Sequence, residues 1–273
     1  MEDARLKAAL SLLDDESPVV RRELHRALTH LGDSLASRAE FHLPHLNCEA
    51  RRQLNLILRK ARRQQFLDTW FSWLGEPGEL GRLEKALTGL AWLESGPDGL
   101  TLSARLDRLA EDFRQERLAA SPETIMDFLF RLKGLRGAVS DFHHRDHSNL
   151  VRVLETRRGL PIALTLIAIL VANRLGFTLQ GLATPRHFFA TAVWSGQVLV
   201  FDCYAGGRLL RPAEVNEVCL ALPEGRRGLA RGAGAWEMIA RTLRNLARAG
   251  EEQGDHEEQR FFIELEKEIH AAK

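Results

Sequence analysis

The stretch that decides the fold begins Arg157-Arg158-Gly159-Leu160-Pro161-Ile162-Ala163-Leu164-Thr165-Leu166 and stays apolar through Ala172, stopping at Leu175-Gly176. Pro161 suits the first position of a helix, where its missing N–H and fixed φ cost nothing. Gly176 suits the residue just past the end, where a left-handed backbone is usually required. Apolar residues on every side predict a helix buried all round rather than an amphipathic one. The run is too short to span a bilayer, which takes roughly 20 residues.

Working outward, His187-Phe188-Phe189-Ala190-Thr191-Ala192-Val193-Trp194 reads as a strand, and Val198-Leu199-Val200-Phe201-Asp202-Cys203-Tyr204 as its return after Ser195-Gly196-Gln197. A connection this short makes an antiparallel hairpin. Register then decides the chemistry. With a two-residue loop, Trp194 pairs with Gln197, His187 lies opposite Tyr204, and Asp202 is the diagonal neighbour of His187 on the same face. A three-residue loop without a bulge puts His187 and Asp202 on opposite faces. Two strands alone are marginal, and the alternation of Phe177-Thr178-Leu179-Gln180-Gly181-Leu182 supplies a third.

These blocks, Arg157 to Ile162, Leu175-Gly176, Pro185-Arg186-His187-Phe188 and Asp202-Cys203-Tyr204-Ala205-Gly206-Gly207, resemble the SirB-type transglutaminase-like family of bacteria. The resemblance runs from about Leu80 to the C-terminus and is densest between Ser148 and Gly207. It implies a catalytic histidine at His187 and an orienting aspartate at Asp202. The nucleophile position falls at or beside Ala163, where a transglutaminase carries Cys, so it implies a dyad with its attacking group absent. Arg158, Pro161, Ser148, Arg186, Tyr204, Gly206 and Gly207 are then expected to line the cleft. Arg186 stands where the family has Gly and Cys203 where it has Pro. The substitutes for a nucleophile are weak: Thr165 needs a well-placed base, and Cys203 should point away from Asp202 by strand alternation. Three cysteines without CxxC spacing argue against a zinc site or a disulfide framework.

The whole chain of 273 residues is 45% hydrophobic and 27% charged with a net charge of +1. That is an ordinary globular composition without the excess of basic charge that general nucleic-acid binding needs. Arg5, Lys7 and Asp14-Asp15-Glu16 interrupt the first apolar residues, so no signal peptide is expected, and free cysteines suit the cytoplasm. Ala4–Leu13 and Pro18 to Leu31-Gly32 read as helices, and the acidic turn before Pro18-Val19-Val20-Arg21 resembles a HEAT-type repeat. A plain helical subdomain fits equally well. Glu49–Leu74 is a long helical stretch whose Arg51, Arg52, Arg59, Lys60, Arg62 and Arg63 read as a solvated face rather than an anion site. Trp70, Phe71 and Trp73 read as core or domain-interface contacts rather than a ligand box. Helices follow over Glu79–Arg117, split at Ser95–Gly99, and from Ser121-Pro122 to Leu132.

Asp141-Phe142-His143-His144-Arg145-Asp146-His147-Ser148 is rich in potential ligands but has no helical His pair, so it reads as a polar loop at the cleft rather than a metal site. Pro212-Ala213-Glu214 opens a short helix, and Pro223–Gly234 reads as an exposed loop. Two amphipathic helices, Ala235–Ala249 and Glu257–Ala271, resemble a tetratricopeptide-type hairpin, which must pack on something to bury its apolar face.

The expected fold class is α+β, mostly helical. A HEAT-like part spans 1–75, a transglutaminase-like core with at least three antiparallel strands spans 76–222, and a tetratricopeptide-like hairpin spans 235–273. The favoured function is a non-catalytic protein that binds protein or peptide through its cleft and helical flanks, with no cofactor, no metal, no nucleic acid and no membrane. The alternatives are an atypical acyltransferase or peptidase with His187 as base, and a purely structural helical adaptor.

Overall fold

The computed structural model describes residues 3–29, 46–117, 119–185, 187–222 and 225–272. Arg186 and the expected helix end at Leu31-Gly32 lie outside them, as do the side chains of Cys48, Arg51, Arg52 and Lys60. The chain divides into two units, Met1–Ser72 with Gly89–Leu100, and Trp73–Thr88 with Thr101–Lys273.

In the first unit, helices α1 (Asp3–Leu10), α2 (Pro18–Thr29) and α3 (Cys48–Thr69) bury Leu6, Leu10, Leu13, Leu28, Leu54 and Ile57 together. Asn47 caps α3, its side-chain oxygen accepting from the Ala50 amide at 2.9 Å. Arg59 is not on a solvated face: it is 4% exposed and lies 3.6 Å from the equally buried Glu94. A cation this deep is tolerated because a carboxylate accompanies it. Trp70 packs on Phe66 within this unit, at a centroid distance of 4.9 Å. Helix α4 spans Glu79–Ser95.

The second unit holds α5 (Leu102–Gln115), α6 (Pro122–Asp127), α7 (Leu150–Thr156), α8 (Pro161–Arg174), α9 (Pro212–Leu220), α10 (Ala235–Glu252) and α11 (His256–Ala271). Ser121 caps α6 in a reciprocal capping box with Thr124. The helix then widens into a π turn over Phe128–Leu132, closed by the Lys133 amide donating to the Phe128 carbonyl at 2.8 Å.

The apolar run is α8, and every residue from Ile162 to Ala172 is buried. It packs against α5, α6, α7, α10 and strand β4 (Phe188–Trp194). Each large aliphatic side chain it removes from water contributes about 1.5–3 kcal/mol. Its end is a Schellman motif: Phe177 N–H donates to the Ala172 carbonyl at 2.9 Å and Gly176 N–H to Asn173 at 3.0 Å, with Gly176 at φ +83°.

Two parallel residue pairs, β1 (Arg136–Gly137) and β2 (Arg158–Gly159), form a small ribbon. The main sheet is antiparallel, in the order β3 (Gln180–Ala183), β4, β5 (Gln197–Asp202), β6 (Arg208–Leu209). The β4–β5 loop has two residues, since Trp194 pairs with Gln197. Ser195 and Gly196 both take positive φ, 49° and 76°, which gives the loop the hairpin twist. One face of the sheet meets α8. The other buries Leu182, Phe189 and Val200 against Leu210, Val218, Cys219 and Leu229.

Over residues 225–234 the chain differs from the exposed loop expected across 223–234. Its Gly225–Ala230 portion is a 3₁₀ turn with Leu229 buried, and the Ala233 amide donates to the Gly181 carbonyl at 2.6 Å. The chain is thus mostly helical with a small antiparallel sheet, an α+β fold. Among the described residues no helix is long and apolar enough to cross a membrane.

Candidate functional site

His187 stands one residue before β4 and is fixed there by Thr184. The Thr184 hydroxyl accepts from the His187 amide at 3.1 Å and donates to the His187 carbonyl at 2.9 Å. The Arg241 guanidinium holds the same turn from α10, donating to the Thr184 carbonyl at 2.8 Å. Asp202 ends β5. Continuing the observed register brings His187 opposite Tyr204, with Asp202 diagonal to it on one face.

The side chains meet: His187 Nε2 lies 2.9 Å from Asp202 Oδ1. An ionised carboxylate only accepts, so Nε2 carries the proton and donates, which leaves Nδ1 as the ring nitrogen free to face a ligand. Nδ1 makes no hydrogen bond among the described residues. Asp202 Oδ1 also accepts from the Ala205 amide at 3.0 Å. Burial by itself would raise the Asp202 pKa. The hydrogen bonds from His187 and Ala205, with the charges of His187 and Arg208, outweigh burial and hold the carboxyl below its ordinary value.

The imidazole is walled by Phe189, 4.4 Å away between centroids, and by Tyr204 edge-on at 6.1 Å. Tyr204 is itself anchored, its hydroxyl donating to the Ala138 carbonyl at 2.5 Å. The turn back from Asp202 is tight, with the Gly207 amide donating to the Asp202 carbonyl at 2.9 Å. Gly207 sits at φ +72°, and a Cβ there would lie 2.3 Å from the Phe130 ring.

The hydroxyls and thiol considered as nucleophiles point elsewhere. Cys203 is fully buried on the opposite face, its pKa pushed up to about 12 by burial and by the Asp202 charge. Thr165 is equally buried, and its hydroxyl donates to the Phe188 carbonyl at 3.4 Å. Ala163 is 1% exposed in the first turn of α8 and offers a methyl group alone.

Beside the dyad is a cavity of about 490 Å³. His187, Asp202 and Thr184 stand at its polar side, Phe189, Leu210, Val218 and Ala221 form an apolar side, and Arg208, Glu214 and Glu217 add charge. The Arg208 guanidinium, 2.8 Å from Glu214, together with the Arg211 N–H groups, holds the Glu214 carboxyl down to about 2. Arg158, Pro161, Ser148, Tyr204, Gly206 and Gly207 are not among the residues lining this cavity. Tyr204 touches its histidine, and Gly207 shapes the turn. Ser148 is buried, its hydroxyl without a hydrogen bond among the described residues.

The neighbouring loop turns toward the C-terminal hairpin. Arg145 donates to the buried Glu258 at 3.3 Å and to Gln253 at 3.2 Å, and His143 lies 3.5 Å from Glu252. Among the described residues no group of three His, Cys, Asp or Glu side chains is placed to hold a metal ion. Sequence reasoning did not single out Thr184, Leu210, Glu217 or Val218 as site residues. Thr184-Pro185 ahead of His187 was the one local signal, a turn former beside a functional residue.

Comparison with known proteins bears on the family. A family model, the transglutaminase-like superfamily, matches residues 101–244, just over half of the chain. A UPF0162 protein of Xylella fastidiosa (strain Temecula1) is 38% identical over 90 residues, covering 33% of this chain and 32% of that protein. A UPF0162 protein of Vibrio cholerae is 25% identical over 75 residues, 28% of each chain. The matched segment spans a third or less of these curated relatives. No solved structure matches the chain at a significant level. With the family match covering the buried helix, the hairpin and the dyad together, the chain belongs to the transglutaminase-like superfamily.

Proposed function

We propose that this chain is a SirB-type member of the superfamily that binds a protein or peptide segment in the cavity beside His187 and does not catalyse acyl transfer. The observations that support the reading are an intact His187–Asp202 pair and, at the position the family resemblance assigns to the nucleophile, the bare methyl of Ala163. A positioned base accelerates a reaction only if a group within hydrogen-bond reach surrenders a proton to it. Thr165 and Cys203 are both buried and directed away from the imidazole's basic nitrogen. The dyad remains able to bind: Nδ1 accepts a hydrogen bond from a ligand amide, and Phe189, Leu210 and Val218 take an apolar side chain. The helical flanks, HEAT-like before the core and tetratricopeptide-like after it, extend the same role in a cytoplasmic protein without cofactor.

The test is incorporation of a fluorescent primary amine into a glutamine-rich protein, together with hydrolysis of amide and ester substrates. No turnover above a protein-free blank is expected from the wild type. Turnover abolished by His187→Ala would overturn the reading and restore the atypical enzyme.

A further inference from the structure

Away from the cavity, the parallel ribbon places two arginines side by side. Arg136 pairs directly with Arg158, and Gly137 with Gly159. Paired residues of adjacent strands project to the same face, so the two guanidinium groups leave the ribbon together, from strands about 4.8 Å apart. The opposite face explains why they cannot turn inward. A Cβ on Gly137 would lie 2.6 Å from the Tyr204 ring, and one on Gly159 would lie 2.8 Å from Val153. The ribbon's inner side is filled by its neighbours, and both arginines are exposed.

Arg157 joins them. It ends α7 in the left-handed conformation, φ 64°, a position glycine takes at lower cost, yet it carries a long exposed side chain. Its guanidinium donates to the Lys133 carbonyl.

The surrounding carboxylates serve other cations: Asp127 pairs with Arg131, Asp112 with Lys133, and Glu155 with Arg105 and Arg152. Among the described residues Arg136, Arg157 and Arg158 have no carboxylate partner. Like charges directly opposite on one face repel. The fold therefore holds Arg136 and Arg158 side by side, with Arg157 next to them along the chain, where neutral residues would cost less.

We propose that Arg136, Arg157 and Arg158 form a docking site for an acidic polypeptide segment bound in extended form. Carboxylates match the planar guanidinium fork, each pair giving two parallel hydrogen bonds. An extended acidic chain presents every second side chain on one face, about 6–7 Å apart, a spacing that two long arginines on neighbouring strands reach. Three residues on from Arg136, Val139 is 90% exposed. A nucleic acid would call for a longer basic track over the surface, and the chain's net charge of +1 supplies little. The site is independent of the cavity reading, although Tyr204 packs against both the ribbon and His187.

The test is fluorescence anisotropy with a fluorescein-labelled peptide alternating Glu and Ala, titrated with the full chain at low salt. Saturable binding is expected, lost as salt rises and absent for the matching peptide of Gln and Ala. Arg136→Gln/Arg158→Gln should weaken it roughly tenfold, the loss of two exposed charge-assisted contacts. The same double variant should melt no lower than the wild type, because removing the repulsion removes a cost. The proposal is overturned by absence of saturable binding, by equal binding of the double variant, or by tighter binding of a single-stranded oligonucleotide through the same arginines. None of these outcomes depends on what the His187 cavity takes.

Discussion

At the scale of single residues, Asp202 sets the behaviour of the site. Its pKa is held below the ordinary value of 3.8 in the folded state. A carboxyl lowered by folding stabilises the native state above its unfolded value and loses that contribution as pH falls through the folded one. Asp202→Asn should therefore destabilise the protein by about 1–3 kcal/mol near neutrality, the range for a hydrogen bond to a charged group. The gap to wild type should close as pH falls below 3.8. Urea unfolding of both proteins between pH 7 and 3 measures this, and a gap that widens in acid would contradict the sign. Cys203 makes a second test. A thiol that is fully buried, with its pKa near 12, should escape alkylation by iodoacetamide in the native protein at pH 8 and react on unfolding. Mass spectrometry of the digested protein reads this directly.

At the scale of elements, close backbone approach limits the turn and the ribbon. Gly207 combines a left-handed φ of 72° with a Phe130 ring where its Cβ would stand. Gly207→Ala should cost about 2–4 kcal/mol, left-handed strain added to overpacking. Gly137 has ordinary φ, so Gly137→Ala meets the Tyr204 ring alone and should cost about 1–3 kcal/mol. Denaturant midpoints for the two variants separate these effects, and equal costs would remove the backbone contribution assigned to Gly207. The hairpin itself was legible beforehand. Alternation and a Ser195-Gly196 turn fix its existence, but two loop lengths fitted the sequence, one placing His187 and Asp202 on the same face and the other on opposite faces, and only the observed pairing of Trp194 with Gln197 separates them.

At the scale of the whole molecule, the second unit joins its C-terminal hairpin to its core partly through a buried ion pair. Arg145 lies 3.3 Å from Glu258, which is 1% exposed. Arg145→Ala takes a cation away from a buried carboxylate and should cost up to about 3–5 kcal/mol, whereas Arg145→Met combined with Glu258→Leu should recover most of the loss. Thermal melts of the single and double variants provide the check. The long-range placement of Arg145 also shows why the polar Asp141–Ser148 segment was hard to read: nothing in those residues names the hairpin, more than 100 positions away, as their partner.

What the sequence by itself determined is local in origin. The buried helix follows from its apolar run, its first-position proline and its terminal glycine, and the strands follow from alternation between turn formers. The bare methyl of Ala163 was visible there too, once the motifs on either side had set the frame. The tertiary structure alone decided which side chains converge. Leu210, Val218 and Glu217 reach the dyad because α9 folds across the sheet face that carries His187. Arg136 meets Arg158 because a parallel pair forms between residues separated by a helix. Thr165 and Cys203 are withdrawn because α8 covers the opposite face of the sheet. Such convergence is set by packing among distant elements, where burial of apolar surface selects the arrangement, and no local spacing in the chain encodes it.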